Sequence, residues 1–421
     1  MKYIKAPQIE ASIGIKYYVT STPGTLGEFR RLYEDFYVKE ILSTNIKRFK
    51  GEGGHVLFKL VKKGIDTFSA LEAISKEFNV PFRLIGYSGM KDAHAITLQY
   101  ITIPLKYLHE VRVYEFENFK LIPIDLFKRK LSSRDIQGNK FVVTVRNCRD
   151  GYEDIIKHFI HELKILKGLP SFYGHQRFGT IRPITHIVGK MIVNRKWFDA
   201  ILNIVGNPSP HESENAHNAR KYFQETLDVE GTLKILPKRL TYERIVLEHL
   251  LKHPNDYIGA IRRLPFHILK LFVNAYQSYL FNLILSKRLE LGLNVNEAVD
   301  GDIVVRGVQY ERCSKRKVID PDFERILVPV LGYDSRIPSG SSGEIINEVL
   351  EVEGLTLSNF KIKEIPQISC RGTLRPTPMV VHNFAWSPLT RNSYRVRFML
   401  ERGMYATIVL RELIKGDPLK Y

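Results

Sequence analysis

The most informative stretch of the sequence is Gly86-Tyr-Ser-Gly-Met-Lys-Asp-Ala-His-Ala-Ile-Thr-Leu-Gln99. Apolar residues precede it and the alternating run Tyr100-Ile-Thr-Ile103 follows it, which predicts a strand, a glycine-bounded loop and a second strand. Within the loop the carboxylate of Asp92 directly follows the cation of Lys91. A neighbouring cation favours an ionised carboxylate, and an ionised aspartate on a fixed loop is a candidate nucleophile or general base. An Asx-turn beside a solvated lysine would explain the same pair structurally.

The spacing of this stretch resembles the central motif of the TruD family of pseudouridine synthases, with the pattern Gly89-x-Lys91-Asp92-x-x-Ala95-x-Thr97-x-Gln99. In that family the aspartate of the Lys-Asp pair is the catalytic residue. The resemblance therefore implies that Asp92 is catalytic. It also implies that Lys91 keeps Asp92 charged or orders its loop.

Two further segments resemble motifs of the same family, and each adds candidate site residues. The N-terminal family motif, in which a glutamate lies near the active site, resembles Asp35-Phe36-x-Val38-x-Glu40. A second motif, whose asparagine and aromatic residue line the uridine pocket, resembles Gly138-Asn139-Lys-Phe141. The resemblance implies that Phe141 stacks on the uracil and that Asn139 fixes the loop around it. Without the resemblance, Glu40 is better explained as a strand-end charge in water and Phe141 as ordinary sheet core.

Another family motif, aromatic-Gly-x-Gln-Arg-Phe-Gly, resembles the segment Pro170-Ser-Phe-Tyr-Gly-His-Gln-Arg-Phe-Gly179. This segment is a glycine-bounded loop that presents Gln176 and Arg177 between aromatic residues. Glutamine and arginine side chains can pair with phosphates and base edges, and aromatic rings can stack on bases. A structural junction between domains, with Arg177 in a buried ion pair, explains the pattern equally well.

The resemblance extends in order over nearly the whole chain and implies an α+β fold. It implies a pseudouridine synthase catalytic domain, with a mixed, largely antiparallel sheet and flanking helices, and a large α/β TRUD insertion domain. The catalytic domain would comprise residues 1–172 and a C-terminal return at 385–421. The insertion domain would comprise residues 173–384.

The composition predicts a basic, globular protein that binds a polyanion. The net charge of the 421 residues is +18, and the basic residues are dispersed among aromatic ones. Such a surface attracts nucleic acid, and unpaired RNA suits it better than duplex DNA. We see no apolar run near the ~18 residues of a membrane span and no secretory leader at the start. We therefore expect a cytoplasmic protein that does not contact a membrane.

The cysteine pattern and the glycine-rich loops point to no cofactor. The three cysteines, Cys148, Cys313 and Cys370, are far apart, so they predict neither a disulfide framework nor a CxxC metal pair. The loop at 338–343 lacks the Walker spacing that cradles nucleotide phosphates. We expect no metal and no nucleotide cofactor. The oligomeric state is open, and a monomer fits the sequence.

The predicted function is isomerisation of uridine to pseudouridine in tRNA, and the family resemblance implies uridine 13 as the target. Asp92 would attack the sugar or abstract a sugar proton, and the resemblance leaves both open. The same chemistry at another position of tRNA or in another RNA is one alternative. A non-catalytic RNA-binding protein or RNA chaperone on the same fold is another. The Lys91-Asp92 and Gln176-Arg177 pairs argue against the latter, because binding alone does not require them.

Overall fold

The structure is a computed structural model that describes residues 3–420, without the side chains of residues 47, 48 and 420. The chain divides into two compact units. The sheet unit comprises Thr22–Ile165 and Met379–Tyr421, and the helical unit comprises Met1–Ser21 and Leu166–Pro378.

These bounds differ from the predicted domains at three places. The helical unit begins at Leu166 rather than at residue 173, and it ends at Pro378 rather than at residue 384. It also contains the first 21 residues, which we assigned to the catalytic domain.

The N-terminal segment is bound by side chains of a long helix more than 250 residues away in sequence. Asn282 donates from Nδ2 to the carbonyl oxygen of Ile13 at 2.9 Å, and Ser286 donates from Oγ to that of Gly14 at 2.6 Å. Gly14 has φ +83°, and a Cβ there would lie only 2.9 Å from Cβ of Asn282. The close approach therefore depends on glycine. Contacts between such distant positions leave no periodic pattern from which a domain boundary could be predicted.

The strands of the described chain are β1 (Ile4–Lys5), β2 (Tyr17–Tyr18), β3 (Phe36–Leu42), β4 (Lys50–Lys63), β5 (Gly86–Tyr87), β6 (Ile96–Pro104), β7 (Tyr114–Glu115), β8 (Phe119–Phe127), β9 (Ile136–Val145), β10 (Glu297–Ala298), β11 (Ile303–Arg306), β12 (Gln309–Arg312), β13 (Lys317–Val318), β14 (Glu324–Val330), β15 (Thr373–Thr377), β16 (His382–Thr390) and β17 (Ser393–Glu401). The α-helices are α1 (Gln8–Ala11), α2 (Thr67–Glu77), α3 (Tyr152–Leu166), α4 (Thr185–Val193), α5 (Trp197–Val205), α6 (Glu214–Thr226), α7 (Val229–Ile235), α8 (Thr241–Lys252), α9 (Tyr257–Arg262), α10 (Phe266–Glu290), α11 (Ser341–Val352) and α12 (Ala406–Ile414).

The sheet unit is built on a nine-stranded sheet with the order β16-β17-β9-β3-β6-β4-β8-β7, and β5 pairs with β6 beside this path. Strands β3 and β6 pair in parallel, and the other neighbouring strands pair antiparallel. The predicted α+β class and the mixed, largely antiparallel sheet are therefore confirmed.

A single row of side chains crosses the five central strands of this sheet. The register pairs Lys62 of β4 with Thr97 of β6, Thr97 with Val38 of β3, and Val38 with Phe141 of β9. Phe141 in turn pairs with Phe398 of β17. Residues that are directly opposite in a sheet present their side chains on the same face. This row therefore brings residues from five separate segments to one face of the sheet.

Helix α2 forms part of the core of the sheet unit. Its N-terminus is capped by Asp66, whose Oδ1 accepts from the backbone N–H of Ser69 at 3.0 Å. Its buried residues pack with alternate residues of β4 and β6; this cluster includes Val56, Phe58, Leu60, Ala70, Leu71, Ile74, Ile101 and Ile103. The apolar side chains on one face of the strands and those on one face of α2 thus pack together in a single layer.

The helical unit carries α4 to α11 and small sheets, of which the largest has the order β12-β11-β14-β15. Its longest helix, α10, is the one described helix with the length and apolarity of a membrane span. In the structure 67% of its most apolar window is buried. Buried residues such as Tyr276, Leu280 and Phe281 show that the protein itself covers much of this helix, which is the pattern of a core helix.

Candidate active site

The loop between β5 and β6 carries Asp92, and buried side chains bind its backbone. Thr67, the first residue of α2, accepts from the backbone N–H of Lys91 at 2.9 Å. The same hydroxyl donates to Oε1 of Gln99 at 2.8 Å, and Nε2 of Gln99 is 3.4 Å from the carbonyl oxygen of Gly89. Thr67 and Gln99 are fully buried. Gln99, which the sequence motif contains, therefore helps to hold the loop of the candidate catalytic residue.

Arg30 forms an ion pair with Asp92, with 2.5 Å between Nη2 and Oδ2. The side chain of Arg30 is 15% exposed, whereas that of Asp92 is 37% exposed. Burial lowers the pKa of Arg30, and the charge of Asp92 raises it. The guanidinium also lies over the ring of Phe36, 4.4 Å from its centre. Arg30 therefore supplies a fixed positive charge to a carboxylate that solvent can reach.

The sequence did not identify Arg30, because it lies 62 positions from Asp92 in no recognisable motif. Its backbone has φ +67°, in the left-handed region that non-glycine residues rarely adopt. A sequence alone does not reveal such a conformation. The fold, rather than a local pattern, brings the two charges together.

Lys91 directs its ammonium group to the sheet. Its Nζ lies 3.0 Å from Oε1 of Glu40 and donates to Oδ1 of Asn139 at 3.0 Å. Arg30 is thus a charge partner of Asp92 that the sequence did not indicate, and the predicted role of Lys91 in keeping Asp92 charged stays a prediction. The second predicted role of Lys91, to order the loop, agrees with its bonds to β3 and β9.

Glu40 is fully buried, so the interpretation as a strand-end charge in water is wrong. Its Oε1 accepts from the hydroxyl of Ser88 and lies beside the ammonium of Lys91, and its Oε2 accepts from the backbone N–H of Tyr100 at 2.8 Å. A buried carboxylate is tolerated where donors and a cation surround it. Glu40 thus links both ends of the Asp92 loop to strand β3.

Phe141 is 6% exposed and packs among other aromatic rings. Its ring stacks on Phe398, with 5.4 Å between centres and an angle of 26°, and tilts against Phe36 at 6.1 Å. The ring therefore packs within the sheet core. Because Phe36 also supports the guanidinium of Arg30, the aromatic cluster is in contact with the partner of Asp92. Stacking of Phe141 on a uracil stays a prediction.

Gln176 and Arg177 belong to the helical unit, whereas the other predicted site residues belong to the sheet unit. Gln176 is exposed and Arg177 is half-buried. Arg177 donates from Nε to the hydroxyl of Ser278 in α10 at 3.1 Å, and its guanidinium lies 6.0 Å from the ring centre of Tyr173. Among the described residues, Arg177 thus donates to a neutral hydroxyl rather than to the carboxylate of the expected ion pair.

Among the residues that the structure describes, no group of three or more His, Cys, Asp or Glu side chains is arranged to hold a metal ion. The three cysteines are buried and free. Burial raises the pKa of Cys148 to about 12, so this thiol stays protonated at neutral pH.

Comparison with known proteins places these features in a family. The chain matches the family described as tRNA pseudouridine synthase D (TruD) from residue 12 to residue 413. The "Probable tRNA pseudouridine synthase D" of Methanosarcina mazei is 36% identical over 99% of this chain and 100% of the relative. The protein of the same name from Methanopyrus kandleri is 38% identical over 88% of each chain.

A solved structure agrees with the sequence matches. The crystal structure of the tRNA pseudouridine synthase D (TruD) protein from Methanosarcina mazei matches with a TM-score of 0.80 and 34% sequence identity, over 99% of this chain and 100% of that one. The mixed sheet and these matches define an RNA-modifying isomerase. The chain belongs to the TruD family of tRNA pseudouridine synthases, and it isomerises uridine to pseudouridine in tRNA.

The Arg30→Met variant tests the ion pair. Methionine keeps most of the apolar stem but removes the charge, so we expect the single-turnover rate of pseudouridine formation to fall by about 10- to 150-fold, or about 1.5–3 kcal/mol. The matched control is Arg31→Met, because Arg31 is the exposed neighbour and pairs with Glu28 at 3.7 Å. Equal rates for the two variants, with enzyme in excess over tRNA, would contradict the role of Arg30.

The Phe141→Leu variant tests whether this ring meets the uracil. Leucine keeps an apolar side chain in the core, so we expect a stability loss smaller than the about 3–5 kcal/mol of a Phe→Ala change. It removes the ring face, which stabilises a stacked base by about 1–3 kcal/mol, so the single-turnover rate should fall by about 5- to 150-fold. Phe398→Leu, on the neighbouring ring, is the matched control and should keep the rate. Melting temperature and turnover are measured on both variants, and a stable Phe141→Leu with full turnover would exclude stacking.

Proposed function

We propose that the protein modifies uridine 13 of tRNA and that Asp92 is the group that acts on the ribose of this nucleotide. One observation carries the proposal: the solvent-accessible carboxylate of Asp92 is bound by the largely buried Arg30. The loop that carries Asp92 is also tied to the sheet through its backbone. A carboxylate in a fixed orientation can meet an incoming sugar without further ordering. The choice of position 13 rests on the resemblance of the motifs to those of the family.

The reaction needs an ionised carboxylate, and the uracil must rotate between cleavage of one bond and formation of the next. The N1–C1′ bond breaks, the uracil turns, and C5 bonds to C1′; the proton lost from C5 is balanced by one gained at N1. Substrate and product are isomers, so the overall change requires neither oxidant nor reductant. Asp92 in its ionised form can attack the sugar or abstract a sugar proton. In both cases the guanidinium of Arg30 stays beside the carboxylate and fixes its direction.

Three partly or fully buried groups position the loop relative to the uracil. Lys91 bonds to Glu40 and Asn139, which are opposite each other on β3 and β9. Phe141 follows Asn139 on the same face of β9, since the two residues are two positions apart. We assign the base to this face, with Phe141 stacking on it and Asn139 linking its pocket to the Asp92 loop.

The RNA must change conformation for this contact to occur. A base inside a helical stack cannot reach Asp92, so the target nucleotide leaves the stack, at a cost of a few kcal/mol. Contacts between the basic surface and phosphates offset this cost; the net charge of the chain is +18. In the helical unit we assign RNA contacts to Gln176, which is exposed, and to Arg177.

We assign catalysis to the sheet unit and the role of the TRUD insertion domain to residues 166–378 of the helical unit. The chemistry needs no added cofactor, because it rearranges bonds within one nucleotide. We place the protein in the cytoplasm with its tRNA substrate, working as a monomer without a membrane or a nucleotide cofactor. Six residues are assigned to the reaction and to binding of the uracil, and all of them lie within the sheet unit: Arg30, Glu40, Lys91, Asp92, Asn139 and Phe141. This location agrees with an active site that one chain completes.

The decisive substrate experiment compares two transcripts of an unmodified tRNA, one with uridine 13 and one with cytidine there. With enzyme in excess we expect one pseudouridine at position 13 of the first transcript and none in the second. Site-resolved detection of pseudouridine provides the measurement. Modification at another position in both transcripts would contradict the choice of position 13. Binding without any modification would favour a non-catalytic RNA-binding protein.

A further inference from the structure

Close to its C-terminal end, strand β4 carries a lysine at a position where its alternating pattern predicts an apolar residue. Val56, Phe58 and Leu60 alternate along the strand and are buried in the core against α2. The next residue on that face is Lys62, which is only 1% exposed. The alternation of the sequence contains this signal, since a lysine is rarely fully buried without a specific partner.

The ammonium of Lys62 is used to bind two backbone carbonyls. Its Nζ donates to the carbonyl oxygen of Ile65 at 2.7 Å and to that of Asp92 at 2.9 Å. The second bond is made to the peptide of the candidate catalytic residue itself. Thr67 and Gln99 bind the loop at residues 91 and 89, so Lys62 adds an anchor at the position where the side chain of Asp92 begins.

Burial of the Lys62 ammonium costs folding free energy. Burial lowers the pKa of Lys62 to about 8, whereas the charges of Asp66 and Asp92 raise this pKa and that of Lys91 lowers it. A charged group whose pKa falls this far is held in an unfavourable environment. Replacement of a whole buried ion pair by apolar residues is often neutral or stabilising, so a buried charge is weak evidence for a role in stability. Strongly perturbed groups of this kind concentrate at functional sites.

We propose that Lys62 is a positioning residue for the reaction: by binding the carbonyl oxygen of Asp92 it fixes the peptide from which the carboxylate extends toward Arg30 and the ribose. The inference rests on the proposed role of Asp92. Small displacements of a reacting group reduce rates strongly, so one lost anchor has a large effect. Lys62 itself does not touch the substrate.

The pH dependence of rate and stability separates positioning from folding. Hydrogen bonds from an ammonium are stronger than those from a neutral amine, so the anchor weakens as the pH rises through about 8. The pKa of Lys62 in the folded protein lies below the ordinary lysine value of 10.5, so between these two values the unfolded chain binds the extra proton. The contribution of Lys62 to stability therefore increases with pH in this window. If the reaction rate falls as the pH rises through this window, a loss of folding stability at Lys62 is therefore not the cause.

The test uses Lys62→Met, with Lys59→Met on the opposite face of the same strand as the matched control. Lys62→Met removes a buried charge but leaves two carbonyl oxygens without this donor, so we expect a lower melting temperature, a variant that is still folded at the assay temperature, and an unchanged affinity for tRNA. Its single-turnover rate, with enzyme in excess, should fall by about 10- to 100-fold. The rate of the wild-type protein should decline as the pH passes about 8, and Lys62→Met should lose that decline. Lys59→Met should match the wild type in all four measurements.

Each contrary result has a defined meaning. A stable Lys62→Met variant with the wild-type rate overturns the proposal. If this variant unfolds, the pH profile of the wild-type protein decides: a rate that is flat on both sides of pH 8 also overturns the proposal, and a decline supports it. Failure of the proposed function has a different signature, because the wild-type protein itself would then form no pseudouridine at position 13.

Discussion

Arg30 and Asp92 form an ion pair in which the two members have different exposure, and the site depends on this difference. The guanidinium is largely buried beside the ring of Phe36, while the carboxylate remains accessible to solvent. A carboxylate free in water would sample many orientations before meeting a sugar. A carboxylate held by a fixed cation has lost that freedom during folding, so binding of the RNA does not have to order it again.

The ion pair is supported by buried polar groups that are themselves bonded. Glu40 receives donors from Ser88, Lys91 and Tyr100, and Gln99 and Thr67 bind each other and the loop backbone. A polar network of this kind is costly when a member lacks its partner and rigid when its members are paired. The two ends of the loop are thereby connected to β3, β6 and the start of α2. The position of Asp92 is therefore fixed by the sheet and helix α2 rather than by the loop itself.

Much of the fold and part of the site could be predicted from the sequence. The alternation in the strands and the spacing around Lys91-Asp92 indicated the sheet and the loop, because both are local patterns. The buried state of Glu40 and the pairing of Arg30 with Asp92 were not predictable, because they arise from contacts between distant strands and segments. The placement of residues 1–21 in the helical unit has the same origin. Lys62 was not identified from the sequence either, although the apolar alternation that precedes it contains a signal at this position.

Single-turnover conversion of tRNA by the Asp92→Asn variant tests the central claim most directly. Asparagine has nearly the shape of aspartate and keeps one oxygen that can accept from Arg30, so the fold and the affinity for tRNA should be preserved. It has no charge and can act neither as this nucleophile nor as this base, so we predict folded, RNA-bound protein that forms no pseudouridine. Enzyme in excess prevents slow product release from hiding the chemistry. Conversion within about tenfold of the wild-type rate, a change of only about 1.4 kcal/mol in the barrier, would contradict the account.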